Sequence, residues 1–409
     1  MSESVLEPVR SPDVDRWLAA LTRPEGREDP YPVYESLRSV SPVALAEDGA
    51  IVLTRYADCH QVLHDHALGR PDPDEFLTSI GLTNWRDLPA LLTLNTSMLL
   101  RNPPEHTRLR RLVSKSFTAR RVEQLSASVA GLVDRLLDDL EGGGDFIEKF
   151  AFPLPVRVIG ELLGVPEEDQ AQFQPLVRDW TMILDVFDFD VLARANEAAT
   201  QLRSYLGDLV AERRRHPQDD LISALVTQRA EGEAALTDEE LVTMAALLFS
   251  AGFETTTHLL GNGLVALLDH PDQAEALRQN PDLSGRAVEE LVRYDSSVHI
   301  TNRLALEDTT VGGVPVPAGS NLVCYVGAAN RDPAKFADPD VLKLDRQEGG
   351  PMSFGGGIHY CLGAPLARLE AQLAFSKLLR RYPELEISGP GVRRDSLTLR
   401  GYLSLPVSC

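Results

Sequence analysis

Residues 354–368 read Phe354-Gly355-Gly356-Gly357-Ile358-His359-Tyr360-Cys361-Leu362-Gly363-Ala364-Pro365-Leu366-Ala367-Arg368. Three consecutive glycines let the backbone turn tightly and approach a flat ligand closely. Pro365 suits the first turn of a helix, and Leu366 to Leu379 continues in helical period. Cys361 is thereby placed at the mouth of a helix N-terminus, where unpaired N–H groups and the positive end of the dipole stabilise a thiolate. A lone cysteine is ordinarily an inert buried side chain. In a glycine-rich loop that opens on a helix it becomes a candidate axial ligand, because a thiolate donates electron density to haem iron.

Outward from this loop the pattern is mainly helical. Apolar residues recur at helical spacing over Arg121 to Leu140, Val156 to Leu163, Ala195 to Arg214 and Gly285 to Tyr294. Strand signals are confined to Ala50 to Thr54 and to His299 to Val326, the latter broken by Gly312-Gly313 and Pro317-Ala318-Gly319. The expectation is a mainly α fold: a large helical body with a small β-rich region, and a single domain over 1–409. One helix is unusual. Thr237 and Glu240 form a capping-box pattern, and the apolar run continues to Leu268 before His270-Pro271 stops it. That is about thirty residues, or about 45 Å. Its middle, Ala251-Gly252-Phe253-Glu254-Thr255-Thr256-Thr257, is poor helix material, and such a local fault suggests a site.

Composition narrows the function classes. The chain has 409 residues and a formal charge of −21, an acidic balance that argues against nucleic acid as a partner. Four cysteines, Cys59, Cys324, Cys361 and Cys409, lie far apart. That spacing gives no disulfide framework, zinc site, iron–sulfur cluster or covalent haem attachment. The longest apolar run, Met244 to Phe253, falls well short of the roughly twenty residues a membrane span needs. The N-terminal residues lack a basic region followed by an apolar one. The expectation is a cytoplasmic protein with reduced thiols and no membrane partner.

Phe354, Gly357, Cys361 and Gly363 meet the Phe-x-x-Gly-x-x-x-Cys-x-Gly pattern, and through it the chain resembles the cytochrome P450 family, specifically its soluble bacterial type. Other segments agree in order, from Asp29-Pro30-Tyr31-Pro32 to the last residues. Ala251 to Thr255 looks like the family's dioxygen-activating groove, and Glu290-Leu291-Val292-Arg293 like its buried Glu-x-x-Arg pair, with Arg346 as third member. The same spacing recurs at Glu35/Arg38, Glu105/Arg108, Glu212/Arg215 and Glu275/Arg278, where a solvated pair is the simpler reading. Two departures stand out: Phe253 where related enzymes often carry a polar residue, expected to add an apolar wall and alter proton supply, and Gly356 where a histidine is common.

The resemblance implies a haem-thiolate monooxygenase that inserts one oxygen atom from dioxygen, by hydroxylation or epoxidation. The cofactor implied is haem b, held non-covalently with Cys361 as axial ligand and Phe354, Gly355, Gly363 and Ala251 against the macrocycle. Its propionates imply His106, Arg110, Arg303 and His359 as partners. Glu254 and Thr255 are the implied proton relay, since cleaving the oxygen–oxygen bond requires delivered protons. Substrate contacts are expected from Trp85 to Leu99, Trp180 to Phe189 (with Met182, Ile183, Val186 and Phe187), Leu248, Ala251, Val298, His299, Thr301, Asn302, Tyr402 and Leu403. Mostly apolar walls suit a medium-to-large hydrophobic secondary metabolite such as a polyketide or terpenoid. The chain has no flavin, nicotinamide or iron–sulfur motif, so electrons are expected from a ferredoxin and its reductase. Arg108, Arg110, Arg111, Lys115, Arg120 and Arg121 form a basic island suited to docking an acidic donor. A monomer is expected. Two alternatives stay open: a haem-thiolate enzyme of other outcome (oxidative coupling, desaturation, peroxygenase chemistry), and a haem-based ligand sensor.

Overall fold

The capping box at Thr237 starts the helix against which the others pack. Its hydroxyl accepts from Glu240 N–H at 3.2 Å, and the Glu240 carboxylate accepts from Thr237 N–H at 2.9 Å, satisfying two orphan donors reciprocally. The helix then runs unbroken over Asp238–Leu268. These contacts belong to a computed structural model that describes residues 8–184, 188–227 and 235–409.

Helices Pro153–Leu163, Phe189–Arg215, Ser284–Tyr294 and Ala364–Arg381 pack around this central helix. Gly252 and Gly263 permit two of these approaches: a Cβ would lie 2.8 Å from Ile159 at the first and 2.4 Å from Phe375 at the second. One apolar cluster extends through all five helices, from Ala90 to Val407. The span 121–140 reads as one helix in sequence but divides at Leu125 into Ala119–Gln124 and Ser126–Asp139. Leu125 N–H bonds to Val122 O, a tighter i→i−3 closure that re-aims the chain.

Both expected strand regions form. Ile51–Leu53 pairs in parallel with Asn321–Tyr325, which pairs antiparallel with Ile300–Ala305. Val9–Arg10, Val43–Leu45 and Leu68–Gly69 complete a six-stranded sheet. The outer strands are two or three residues long, too short for a period-2 pattern to declare them.

Glu290 and Arg293 are each 1% exposed at the side chain, and Arg346 is 4% exposed. Arg293 donates to both carboxylate oxygens of Glu290 at 2.7 and 2.9 Å, Arg346 adds a third bond at 2.9 Å, and Lys343 N–H a fourth. The second arm of Arg293 reaches the carbonyls of Asn330 and Pro339. Asn330 in turn accepts from Met352 N–H at 2.8 Å and donates to Ser296 and Ser353. The network therefore runs from the helix ending at Tyr294 to the turn that opens the cysteine loop. The other Glu-x-x-Arg repeats do nothing comparable: Glu212/Arg215 and Glu275/Arg278 are solvated pairs, Arg108 turns to Glu240, and Arg38 bonds the Ala328 carbonyl.

Glu370, on the helix after the cysteine loop, is 1% exposed, and one of its carboxyl oxygens has no partner among the described residues. Burial alone pushes its carboxyl well above the usual range.

Two stability measurements check these assignments. Glu290→Ala strands two guanidinium groups in the interior and should cost about 3–5 kcal/mol in urea unfolding, whereas Glu275→Ala should leave the midpoint where it is. The raised Glu370 carboxyl keeps its proton in the native state at pH values where the unfolded chain has already lost it. Its burial therefore costs nothing below the ordinary carboxylate range and costs about 1.4 kcal/mol more for each pH unit above it, until the native group ionises. Glu370→Gln should accordingly stabilise the protein by a margin that widens between pH 5 and pH 8, and a constant margin would refute the assignment.

Candidate active site

The cysteine loop is closed by its own backbone. Gly355 and Gly357 take φ of 72° and 60°, a region that side chains disfavour. Cys361 N–H donates to Phe354 O at 2.8 Å, and Tyr360 N–H donates to Gly357 O at 3.1 Å. Gly356 has a local cause: a Cβ there would meet the His64 ring at 2.7 Å, so His64 fills the space in which a larger side chain would stand. Helix Ala364–Arg381 starts with Pro365 in its first turn, as its sequence predicts. The Phe354 ring lies under the guanidinium of Arg368 at 4.3 Å, and Arg368 also pairs with Glu289 and bonds the Tyr360 hydroxyl.

Cys361 is accessible at its surface yet has protein mass on most sides. Burial pushes its thiol up, while the N–H groups of Gly363 and Ala364 and the charges of Arg110 and Arg368 pull it down. Burial prevails, so a bound metal cation is the partner that would complete the stabilisation of a thiolate here.

Beside the loop lies a cluster of cations and imidazoles. The rings of His106 and His359 are 4.4 Å apart. Arg110 donates to Tyr360 O at 2.6 Å, and Arg303 to Asn302 O at 2.8 Å. Arg70, which the sequence did not single out, joins them through the Asn302 carbonyl and amide oxygens at 2.9 and 3.1 Å. Burial first, and then repulsion from these arginines, pushes His106 down to about 4 and His359 down to about 2. Arg70 is pushed down to about 9 by burial and by Arg303. Both ring nitrogens of His106, Nε2 of His359 and Nε of Arg70 lack partners among the described residues. Buried donors and like charges gathered with no carboxylate paired to them among the described residues favour an anionic ligand. The two carboxylates of a haem meet that requirement, and the four implied residues and Arg70 would hold them.

Between Leu241 and Leu264 the central helix is buried at every position except Ala251, Gly252 and Thr255. Its poor helix formers are accommodated by their own hydroxyls: Thr255, Thr256 and Thr257 each donate to the carbonyl four residues back, at 3.0, 3.2 and 2.9 Å. Ser297 donates to Thr255 O at 2.7 Å. Glu254 lies within the protein and forms an ion pair with Arg394, whose other arm reaches the Thr181 hydroxyl at 3.2 Å and the Met182 sulfur at 3.8 Å. No motif around Arg394 announced this role. Phe253 turns the other way, edge-on to Phe152 and Phe249, so it belongs to the core rather than to a wall of the site.

The expected substrate contacts divide. Ala251, Val298, Thr301 and Asn302 retain accessible surface, and Leu248 is 8% exposed. His299 does not belong with them. It is 1% exposed, bonded through Nδ1 to the Tyr34 hydroxyl at 2.9 Å, with Nε2 3.7 Å from Asp295. His299 precedes strand Ile300–Ala305 and ties helix Tyr31–Val40, through Tyr34, to the C-terminal segment, through its own N–H to Thr398 O. Tyr402 is also buried, and Leu403 lines a separate cavity of about 460 Å³ with Phe152, Val156, Arg157 and Gln170, which contains no cysteine-loop residue. Trp180 is anchored to Ala90 O at 3.2 Å, and Ile183 packs with Trp85 and Leu91, so the segments starting at Trp85 and Trp180 meet. Phe189 is 84% exposed and points away, and Val186 and Phe187 lie outside the described residues.

Known proteins agree with this geometry. The family model for cytochrome P450 matches residues 167–398. The vitamin D(3) 25-hydroxylase of Pseudonocardia autotrophica is 40% identical over 390 residues, covering 93% of this chain and 94% of that protein. The 6-deoxyerythronolide B hydroxylase of Saccharopolyspora erythraea is 38% identical over 396 residues, covering 93% and 96%. The crystal structure of P450BioI in complex with an acyl carrier protein ligated to hexadec-9Z-enoic acid superposes with a TM-score of 0.88 at 36% identity, covering 94% of this chain and 99% of that one. With a cysteine at the helix mouth, a cationic cluster beside it and a threonine-bearing gap in the central helix, the chain belongs to the cytochrome P450 family and is a haem-thiolate monooxygenase of the bacterial type.

Proposed function

We propose that this enzyme holds haem b through Cys361 and oxygenates a medium-to-large hydrophobic secondary metabolite of the polyketide, terpenoid or secosteroid class. When bound, the haem supplies dioxygen activation and transfer of one oxygen atom. The protein supplies the rest. Arg110, Arg303 and Arg70 would neutralise the two carboxylates, and His106 and His359 would hydrogen-bond them as neutral imidazoles. Ala251, without a bulky side chain, would leave space for a small ligand, and the Thr255 hydroxyl would hold a proton-bearing water that Glu254 would recharge. The observation that carries this reading is the buried cationic cluster without a carboxylate, adjacent to a cysteine at a helix N-terminus. The substrate class rests on the relatives, named as hydroxylases of vitamin D(3) and of 6-deoxyerythronolide B, and on the apolar side chains of Leu248, Ala251 and Val298.

Electrons come, on this proposal, from a ferredoxin served by its reductase. The basic island is smaller than its sequence suggested: Arg108 pairs with Glu240, Arg121 with Asp219, and Arg110 turns to the cysteine loop. Arg111, Lys115 and Arg120 are exposed, and on this proposal they lie on the docking face. No helix among the described residues is long and apolar enough to cross a membrane. We place the enzyme in the cytoplasm as a monomer.

Two measurements test the proposal. The reduced carbon monoxide complex should show the strongly red-shifted Soret band of thiolate ligation, and Cys361→Ala should lose it. A band at the position of nitrogen ligation would overturn the assignment. Reversing charge at Arg111 and Lys115 together should raise the apparent KM for ferredoxin roughly tenfold at low salt while leaving that spectrum intact, and an unchanged KM would locate docking elsewhere.

A further inference from the structure

Behind Glu254 the central helix carries another titratable group that the proposed reaction does not use. His258 follows by four residues and so shares the same helix face. It is 3% exposed, and neither ring nitrogen has a hydrogen-bond partner among the described residues. Its ring presses on the backbone of Gly401, where a Cβ would come within 2.0 Å of Nδ1. The charged groups acting on it are Arg394, next to the C-terminal strand Val392–Arg393, and Arg178 from helix Phe173–Thr181, and Glu254, one turn back on its own helix, is paired with that same Arg394. Burial first, then these two arginines, push the imidazole down to about 3, so it is neutral at physiological pH. Arg178 is exposed, which puts solvent within the electrostatic neighbourhood of the ring. Two buried ring nitrogens without partners are costly unless water reaches them.

We propose that His258 is a positioning residue for proton supply, carrying protons from solvent to Glu254. The proposal rests on Glu254 and Thr255 acting as the relay. Hydronium gives a proton to one ring nitrogen and leaves as water, as the proton on the other nitrogen passes to the Glu254 carboxylate and makes it the neutral acid. The ring regains its first tautomer by taking one proton from water on the Glu254 side and returning one to water on the other, and no electrons move. Arginine holds its protons permanently, so Arg394 orients Glu254 but cannot recharge it. Imidazole accepts on one nitrogen and releases from the other. Dioxygen that is not supplied through this route takes up two electrons and two protons from bulk water and leaves as hydrogen peroxide.

The experiment uses the haem-loaded enzyme, driven by NADH through ferredoxin and reductase with vitamin D(3) as the probe, and reads hydrogen peroxide released per NADH consumed. His258→Leu should raise that ratio at least about threefold and change its H2O/D2O dependence. Glu254→Gln should raise it as much, and the double variant should exceed neither, because the two groups act in series. A ratio unmoved by Glu254→Gln would sink the relay itself. A ratio raised by Glu254→Gln but unmoved by a folded His258→Leu would sink the role of His258 alone. Should the Leu variant fail to fold, His258→Gln decides by the same ratio. Independently of turnover, nitrogen NMR of the apoprotein should show the His258 tautomer balance shifting in Glu254→Gln, and an unchanged balance would overturn their contact.

Discussion

A negative charge on sulfur is costly to place inside a protein unless dipoles and cations surround it, and much of this structure answers to that cost at Cys361. Burial drives the thiol toward its neutral form. The helix that starts at Ala364 turns its N–H groups back on the sulfur, and Arg110 and Arg368 add charge from two sides. Those positions require the tight path through Gly355 and Gly357. The loop is held from below as well: Met352 N–H bonds Asn330, whose carbonyl accepts from Arg293, which grips Glu290. A carboxylate shared by two arginines and buried almost completely is a rigid foundation, because any movement exposes uncompensated charge.

The central helix shows the opposite balance. Three consecutive threonines are poor helix formers, and each bonds its hydroxyl to the preceding turn. Tertiary packing, dense on every other side, holds this segment helical. Between Leu241 and Leu264 the break in its burial falls at Ala251, Gly252 and Thr255. Propensity was given up there in favour of a hydroxyl and an acid at the one open place. Glu254 is next to that place but tied to Arg394, and through it to Thr181 and Met182 at the end of the neighbouring helix. The acid of the site is thus part of an enclosed charged group that includes the C-terminal strands.

Local information was enough for the cysteine loop, the capped helix at Thr237 and the Glu290 pair. In each, the residues that cooperate lie within a few positions of one another, and turn, cap and period are chemical properties of neighbours in sequence. The helix break at Leu125 and the two-residue strands carry too little local signal to be seen.

What the sequence determined by itself was the cysteine loop, the placement of Cys361 at a helix mouth and the mainly helical frame. Only the tertiary structure decided that Arg70 joins the cationic cluster, that Arg394 holds Glu254, that His64 occupies the space beside Gly356, and that His299 and Phe253 face away from the site. Those outcomes depend on which side of a strand or helix meets a distant partner. Residues 254 and 394 are brought together by the packing of the whole chain, and burial and charge acting across that separation leave no trace in the spacing of either neighbourhood.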